Sequence, residues 1–149
     1  PDQVAFGAAI GACSRCGEWQ PALALLEEMN FLGLRPNQVS YGAAVGACRK
    51  DGRWLVALSI LAGMQKQAIL PNIIIFSSLI STCERAQQWQ MALALMDQLV
   101  HQELEPDVIL FSAAVSACEK GQQWEMALEL LGSMIGRRIT PNVITCNAA

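Results

Sequence analysis

The sequence predicts an all-α fold, a right-handed α-solenoid of 35-residue helix–turn–helix repeats. Proline stands at Pro1, Pro36, Pro71, Pro106 and Pro141, tryptophan at Trp19, Trp54, Trp89 and Trp124, and cysteine at Cys13, Cys48, Cys83 and Cys118. A constant internal period of this length is typical of solenoids, in which each unit packs only on its neighbours. We expect repeats at residues 3–37, 38–72, 73–107 and 108–142, and the start of a fifth, truncated repeat at 143–149.

Each unit is expected to contain two antiparallel helices, as the third copy illustrates. Asn72 follows a proline and precedes an apolar stretch, which predicts a helix N-cap. The apolar side chains that follow at spacings of three and four are Phe76, Leu79, Ile80 and Cys83. After a polar break, a second helix is predicted from about Trp89 to Val100. Its apolar stripe is Ala92, Leu93, Leu95, Met96 and Leu99.

Glycine, proline and tryptophan refine this interpretation of the unit. The breaks between helices contain Gly17, Gly52 or Gly121 in three copies, and glycine is a helix-stop residue. Pro21 falls in the first turn of a second helix, where proline is tolerated. Small residues in the first helices, such as Gly46, should allow neighbouring first helices to approach closely. The repeated tryptophan is expected to pack between repeats rather than to stack on bases.

The cysteines do not indicate a disulfide framework or a metal site. Equivalent helices in a stack should lie roughly 8–10 Å apart, which exceeds the usual separation for a disulfide. Cys13 and Cys16 form a C-x-x-C motif with no second pair and no nearby histidine to complete a zinc site. Buried free thiols that act as small hydrophobic residues are the favoured interpretation, and they fit a reducing compartment.

The charge of the chain is distributed unevenly. Its net charge of −3 is not the usual footprint of a nucleic-acid binder. One repeat position, however, carries a cation in every copy, and we call these four residues the basic row: Arg15, Lys50, Arg85 and Lys120. A cation near a helix C-terminus can offset the helix macrodipole, or it can contact phosphate, and both roles remain open. Five of the thirteen acidic residues fall on the second helices, at Glu27, Glu28, Asp97, Glu125 and Glu129.

The sequence gives no support to an enzyme, a membrane protein or a cofactor-binding protein. His101 is the one histidine, and no nucleophile, phosphate loop or ligand cluster accompanies it. No apolar run approaches the roughly 18 residues that span a bilayer. We therefore expect no catalytic residues, no metal, no cofactor, no membrane partner and no small-molecule substrate. Any targeting segment is expected outside these residues, since the chain begins inside a unit.

Three motifs with a common period identify the kind of repeat. The unit opens with P-[ND]-x-[VI]-x-[FY], as in PNQVSY (36–41) and PDVILF (106–111), and its first helix closes with CSR, CRK, CER or CEK. The second helix begins with W-x2-A-L-x-[IL]-[LM] in all four copies. With the 35-residue period, these motifs strongly resemble the pentatricopeptide repeat family over the whole chain. The tryptophan departs from the smaller aliphatic residue that the family often has there.

The resemblance implies sequence-specific binding of single-stranded RNA, with one base recognised per repeat. The family uses the residue after the first-helix aromatic together with the Asn or Asp after the closing proline. The implied pairs are Gly7 with Asn37, Gly42 with Asn72, Ser77 with Asp107 and Ser112 with Asn142, and Asn147 begins a further pair. The base-sandwiching aliphatic residues correspond to Val4, Val39, Ile74, Ile109 and Ile144. The basic row matches a position that can meet the phosphate backbone.

The family's recognition code further implies a base for each pair. Ser77 with Asp107 implies guanine and Ser112 with Asn142 implies adenine, because aspartate only accepts hydrogen bonds whereas asparagine also donates them. The two glycine pairs lack a side-chain contact and lean towards adenine. Since the family runs parallel to its RNA, the implied site is 5′-(A)(A)GA-3′. Each Asn or Asp could instead cap a helix, and the two roles can coexist.

The resemblance also implies a biological setting. Family members guide RNA processing, stability, editing or translation, and an organelle, either the mitochondrion or the plastid, is the implied location. The expected partner is single-stranded RNA. A protein–protein interaction scaffold of the tetratricopeptide-like kind is the alternative, supported by the acidic balance and the two glycine pairs, and it would make other proteins the partners.

Overall fold

Within the part of the chain that the structure describes, eight α-helices form four antiparallel hairpins in a row. The computed structural model describes residues 2–136. The helices are α1 (Gln3–Cys16), α2 (Trp19–Phe31), α3 (Gln38–Arg49), α4 (Trp54–Lys66), α5 (Ile73–Arg85), α6 (Trp89–His101), α7 (Val108–Lys120) and α8 (Trp124–Gly136). Because residues 2–136 contain these helices and no strand, the predicted all-α repeat solenoid is confirmed.

An Asn or Asp side chain caps the N-terminus of each described first helix, α1, α3, α5 and α7. The Oδ1 atom accepts a backbone N–H three residues on, over 2.8 Å at Asp2, 2.9 Å at Asn37, 3.0 Å at Asn72 and 2.9 Å at Asp107. Each cap satisfies a backbone donor that has no partner within the helix, which contributes about 1 kcal/mol. The N-cap predicted at Asn72 is therefore confirmed.

One residue in each turn between the two helices adopts the left-handed conformation. Its φ is +75° at Gly17 and +61° at Gly52, but the same position is glutamine in the later units, with φ +59° at Gln87 and +58° at Gln122. Gly121 ends α7 as expected of a stop residue, but its φ is −83°. This glycine serves packing, because a Cβ there would lie 2.8 Å from Cγ of Trp89.

The helices are arranged in two layers with unequal spacing. The first helices α1, α3, α5 and α7 pack on one another in sequence, whereas no close backbone contact joins successive second helices among the described residues. The closer spacing curves the array towards the first helices. Gly46 lies at one such approach, where a Cβ would be 2.7 Å from Oγ of Ser14. The predicted role of small residues in this layer is therefore confirmed at this position.

An apolar core fills the space between the two layers, with a small separate cluster of Val115, Cys118 and Ala127 in the last unit. The predicted face of α5 and the predicted stripe of α6 are buried, with Leu93 half-buried at the edge. Each fully buried large aliphatic side chain stabilises the stack by about 1.5–3 kcal/mol. Pro21 is the third residue of α2, in its first turn as predicted. No helix within residues 2–136 combines the length and the apolar character needed to cross a bilayer.

Two of the repeated tryptophans, Trp19 and Trp89, contact the next unit, as predicted. Trp19, Trp54 and Trp89 are partly buried against the core. The guanidinium of Arg53, in the next unit, lies 5.2 Å from the centre of the Trp19 ring, within the range of a cation–π contact. Trp124 begins the last described helix, and its side chain is 64% exposed.

Candidate nucleic-acid interface

The Asn and Asp residues implied in base recognition each have one terminal atom occupied by the helix cap. Oδ1 accepts the backbone N–H at Asn37, Asn72 and Asp107. The second terminal atom is therefore the one left for a ligand. It is the Nδ2 amide donor in the asparagines and the Oδ2 acceptor in Asp107. Asn37 and Asp107 are exposed and Asn72 is half-buried.

The partner residues of these pairs lie on the first helices, half-buried. They are Gly7, Gly42, Ser77 and Ser112. A Cβ added at Gly7 would meet no other atom within 4 Å, and one added at Gly42 would lie 3.4 Å from Cγ1 of Ile75. Both glycine positions therefore have space for a small side chain. Asn142 and Asn147, like the implied sandwiching residue Ile144, lie outside the described residues.

A row of exposed aliphatic side chains follows the caps. The exposed fractions are 78% at Val4, 73% at Val39, 71% at Ile74 and 64% at Ile109. Each stands two residues after a capping Asn or Asp, so the row keeps the 35-residue spacing of the array. Apolar side chains repeatedly exposed in one register are typical of an interaction surface. The structure thus brings the implied sandwiching and base-recognition residues to the same end of the first helices.

The basic row lies at the opposite end of the first helices. From Val4 to Arg15 the helix rises about 16 Å, at 1.5 Å per residue. Three members of the row contact the preceding unit. Nζ of Lys50 donates to the Cys16 carbonyl oxygen over 3.3 Å, and Nη1 of Arg85 donates to the Lys50 carbonyl oxygen over 3.2 Å. These bonds supply donors to helix C-termini, which corresponds to the structural alternative weighed for this row.

The last member of the row is held by an ion pair. Nζ of Lys120 lies 2.9 Å from Oε1 of Glu84, and the same carboxylate oxygen accepts a hydrogen bond from Oγ of Ser116 over 2.8 Å. The basic row therefore links successive units, and no repeat-to-repeat comparison of residue types could reveal these contacts. All four side chains of the row retain N–H donors, because lysine carries three and arginine five.

A groove of about 980 Å³ opens between the first two inter-hairpin loops, at the end that carries the exposed aliphatic row. Asn37 and Val39 line it together with Arg35 and Lys66. The sequence analysis did not single out these two cations because each occurs once, outside the repeated columns. The signal available in the sequence was the position of Arg35, directly before Pro36 and Asn37.

The cysteines behave mainly as core residues. Cys48, Cys83 and Cys118 are buried, Cys13 is half-buried and Cys16 is exposed, and these five thiols are free; the sixth cysteine, Cys146, lies outside the described residues. Burial raises the pKa of the Cys48 and Cys83 thiols to about 11 and also raises the pKa of Cys118. Among residues 2–136, no three His, Cys, Asp or Glu side chains are grouped as metal ligands would be.

Sequence comparison assigns the repeat to a family. A family model described as the pentatricopeptide repeat domain matches residues 24–85 and 94–149, and one described as the PPR repeat matches residues 4–34. A comparison with curated protein sequences gave no match.

Solved structures share the same stack of hairpins. The protein PPR10 in complex with an 18-nucleotide psaJ RNA element has a TM-score of 0.85 and 26% identity, over 99% of this chain and 22% of that chain. PPR10 from maize gives 0.80 and 21%, over 99% and 21% of the two chains. The PPR domain of Arabidopsis thaliana protein-only RNase P 1 in complex with tRNA gives 0.87 and 17%, over 98% and 77%.

The chain spans about a fifth of the length of PPR10. Its family models together cover most of the sequence, from the first helix to the last residues. The predicted motifs, the eight-helix stack and these matches agree, and we conclude that this chain belongs to the pentatricopeptide repeat family.

Proposed function

We propose that this chain binds single-stranded RNA and recognises one base with each repeat. The observation that carries the proposal is the fourfold coincidence of a capping Asn or Asp with an exposed branched aliphatic residue two positions on. A splayed base has two apolar faces and a polar edge. The aliphatic side chains of two successive units are suited to the faces, and the cap residue between them is suited to the edge.

We infer a base preference at each position from the geometry of the cap. Because Oδ1 of Asp107 is occupied by the Leu110 N–H, Oδ2 is left to accept from a base that offers a donor at its Watson–Crick edge, as guanine does. The Nδ2 group of Asn72 is left to donate to a base that offers an acceptor there, as adenine does. The support for this assignment is that the cap fixes the orientation of the side chain before RNA binds.

The first-helix partner of a pair adds to this discrimination where it is polar. Ser77 supplies a hydroxyl beside Asp107, whereas Gly42 supplies no side chain beside Asn72. The proposed site in the RNA is 5′-(A)(A)GA-3′, with stronger selection in its second half. Asn142, Asn147 and Ile144 complete the proposed set in the last units.

The basic row is proposed to contact the RNA backbone with its remaining N–H donors. If all four members contact phosphates, the plot of log K against log salt should have a slope near −3, at about 0.7 per contact. Four repeats with this charge should bind weakly and with a strong salt dependence.

In its biological role, we propose that the chain is the RNA-binding part of a larger protein. It is proposed to act in the mitochondrion or plastid, on RNA processing, stability, editing or translation, without catalysis by the repeats themselves. The structures of PPR10 and of the PPR domain of protein-only RNase P 1 are complexes with RNA, which supports an RNA partner. The scaffold alternative is not favoured, because the family match and these relatives point to RNA.

The substitution Asp107→Asn tests the proposal. The cap survives, because asparagine also provides Oδ1, but the free atom changes from an acceptor to a donor. The preferred third base should change from guanine to adenine, with a shift in relative affinity of about tenfold for one hydrogen bond gained and one lost. Fluorescence anisotropy with four short RNAs that differ at that base measures the shift.

Glu105→Gln is the matched control, because it removes the same charge from an exposed residue two positions away. It should change the affinity for all four RNAs equally. Equal affinity of the wild-type chain for all four RNAs, or a uniform loss in Asp107→Asn, would refute base recognition by this residue.

A further inference from the structure

The groove between the first two inter-hairpin loops has a charge that contrasts with the rest of the chain. Two cations line it, Arg35 and Lys66, and none of the described residues that line it is acidic. Amide side chains make up the rest of its polar lining: Gln3, Asn30, Asn37, Gln38 and Gln67. Cations and amide N–H groups are the donors that bind anions. The chain as a whole carries a net charge of −3, so this concentration of positive charge is local.

Hydrogen bonds between units fix the walls of the groove. Nε2 of Gln3 donates to the Arg35 carbonyl oxygen over 2.8 Å, so the start of α1 is tied to the loop before α3. Nε2 of Gln67 donates to Oδ1 of Asn30 over 2.9 Å, so the end of α4 is tied to α2. A preformed groove loses little conformational entropy when it binds a ligand.

The two cations have no ion-pair partner among residues 2–136. The ion pair in that part of the chain joins Lys120 to Glu84, at the other end of the first helices. Two uncompensated positive charges that line one groove repel each other, and an anion between them would remove that repulsion. The groove is therefore suited to a group with negative charge and several acceptor oxygens.

The pair occurs at one junction of the described array. One unit later, the positions of Arg35 and Lys66 are occupied by Leu70 and His101, and Glu103 lies nearby in the same turn. The anion-binding character is therefore specific to the junction between the first and second units and is not a general feature of the repeat.

We propose that Arg35 and Lys66 bind the RNA phosphate that links the nucleotides recognised by the first and second units. The proposal rests on the proposed function, because Asn37 and Val39, which line the groove, would contact those nucleotides. The guanidinium of Arg35 can form paired hydrogen bonds with two phosphate oxygens, and Lys66 adds a second charge. The RNA is then held most strongly at the 5′ end of its site.

The salt dependence of binding tests the charge of the contact. The double variant Arg35→Gln/Lys66→Gln should make the log–log slope less negative by about 0.7, the value for one phosphate that is no longer neutralised. The matched control is Leu70→Gln/His101→Gln at the next junction, which should leave the slope unchanged. An unchanged slope in the first variant would overturn the proposal.

An RNA with one neutral linkage tests the position of the contact. A methylphosphonate in place of the first linkage of AAGA, with the adjacent 2′-hydroxyl methylated, should weaken binding of the wild-type chain by about tenfold. The same change at the third linkage should weaken it less, and an RNA with the methylated nucleotide alone is the control. The double variant should be insensitive to the first replacement. Equal effects of the two replacements on the wild-type chain would overturn the proposal without use of any variant.

The result for the base preference separates this proposal from the proposed function. If Asp107→Asn shifts the preference for the third base while the groove variant leaves the slope unchanged, the phosphate contact is wrong and base recognition stands. If the wild-type chain binds none of the RNAs, both are wrong. A groove variant that alters base preference without altering the slope would also refute a phosphate contact.

Discussion

The contact between Trp89 and Gly121 gives a quantitative test of how the units are joined. A Cβ at residue 121 would lie 2.8 Å from Cγ and 3.0 Å from Nε1 of the Trp89 indole, far inside ordinary contact distance. The ring is partly buried against the core and cannot turn aside freely. Gly121→Ala should therefore lower the free energy of unfolding by about 1–3 kcal/mol, the usual cost of overpacking.

Gly63→Ala is the matched control, because Gly63 lies inside α4 and a Cβ there would meet no atom within 4 Å. Alanine in place of an unconstrained helical glycine should raise the free energy of unfolding by about 0.5–1 kcal/mol. Urea denaturation followed by circular dichroism measures both variants. The two alanine substitutions should therefore have effects of opposite sign.

A double-mutant cycle tests whether the Trp89 indole causes the loss of stability in Gly121→Ala. In a Trp89→Leu background the space beside residue 121 is open, so Gly121→Ala should change stability by less than about 0.5 kcal/mol. The coupling energy between the two sites should be about 1–3 kcal/mol. If Gly121→Ala destabilises both backgrounds equally, the indole contact is not the reason for glycine at this position, and the packing argument fails.

Other parts of the chain give tests of conformation, recognition and ionisation. Gln87→Gly should raise the free energy of unfolding by about 0.5–1 kcal/mol in urea denaturation, because φ is positive there, and Gly52→Gln should lower it by a similar amount. Gly42→Ser should strengthen the preference for adenine at the second nucleotide alone, since a Cβ at residue 42 would lie at a tolerable 3.4 Å from Cγ1 of Ile75. Binding to four RNAs that differ at that nucleotide measures the change. Burial raises the pKa of Cys48 and Cys83 from 9.0 to about 11, so the thiols stabilise the fold fully below pH 9, and that contribution falls as pH rises towards 11. The urea midpoint should fall less over this range in a variant with both cysteines replaced by alanine.

The architecture could be predicted from the sequence because its determinants are local and repeated. Asn72 precedes an apolar helical pattern, and its cap depends on a side chain and a backbone only three residues apart. The tryptophans and the small residues of the first helices recur at a constant spacing, so their role in packing between units follows from the period alone. The structure confirmed these predictions at Asn72, at Gly46, and at Trp19 and Trp89.

Contacts that depend on the distance between units were beyond sequence reasoning. The repeated glycines suggested one common role as helix-stop residues. At Gly121, however, the reason for glycine is the close approach of the Trp89 indole from the preceding unit, and the residue with the positive φ is Gln122. The sequence left the basic row open between a role at the helix C-termini and a phosphate contact, and it did not reveal that Lys50 and Arg85 donate to carbonyl oxygens one unit away. Arg35 and Lys66 are 31 residues apart and occur once each, so no periodic pattern places them on one groove.

The double use of the cap residue has a consequence for how such arrays change during evolution. The residue proposed to select a base must also supply an oxygen to the start of a helix, and only a few short polar side chains do so well. Selection for a stable stack therefore restricts the residue types that are available for base specificity. Exchange of Asn and Asp stays within this set of residue types, since both keep Oδ1 for the cap. A new RNA target can then be acquired by single substitutions that are nearly neutral for folding.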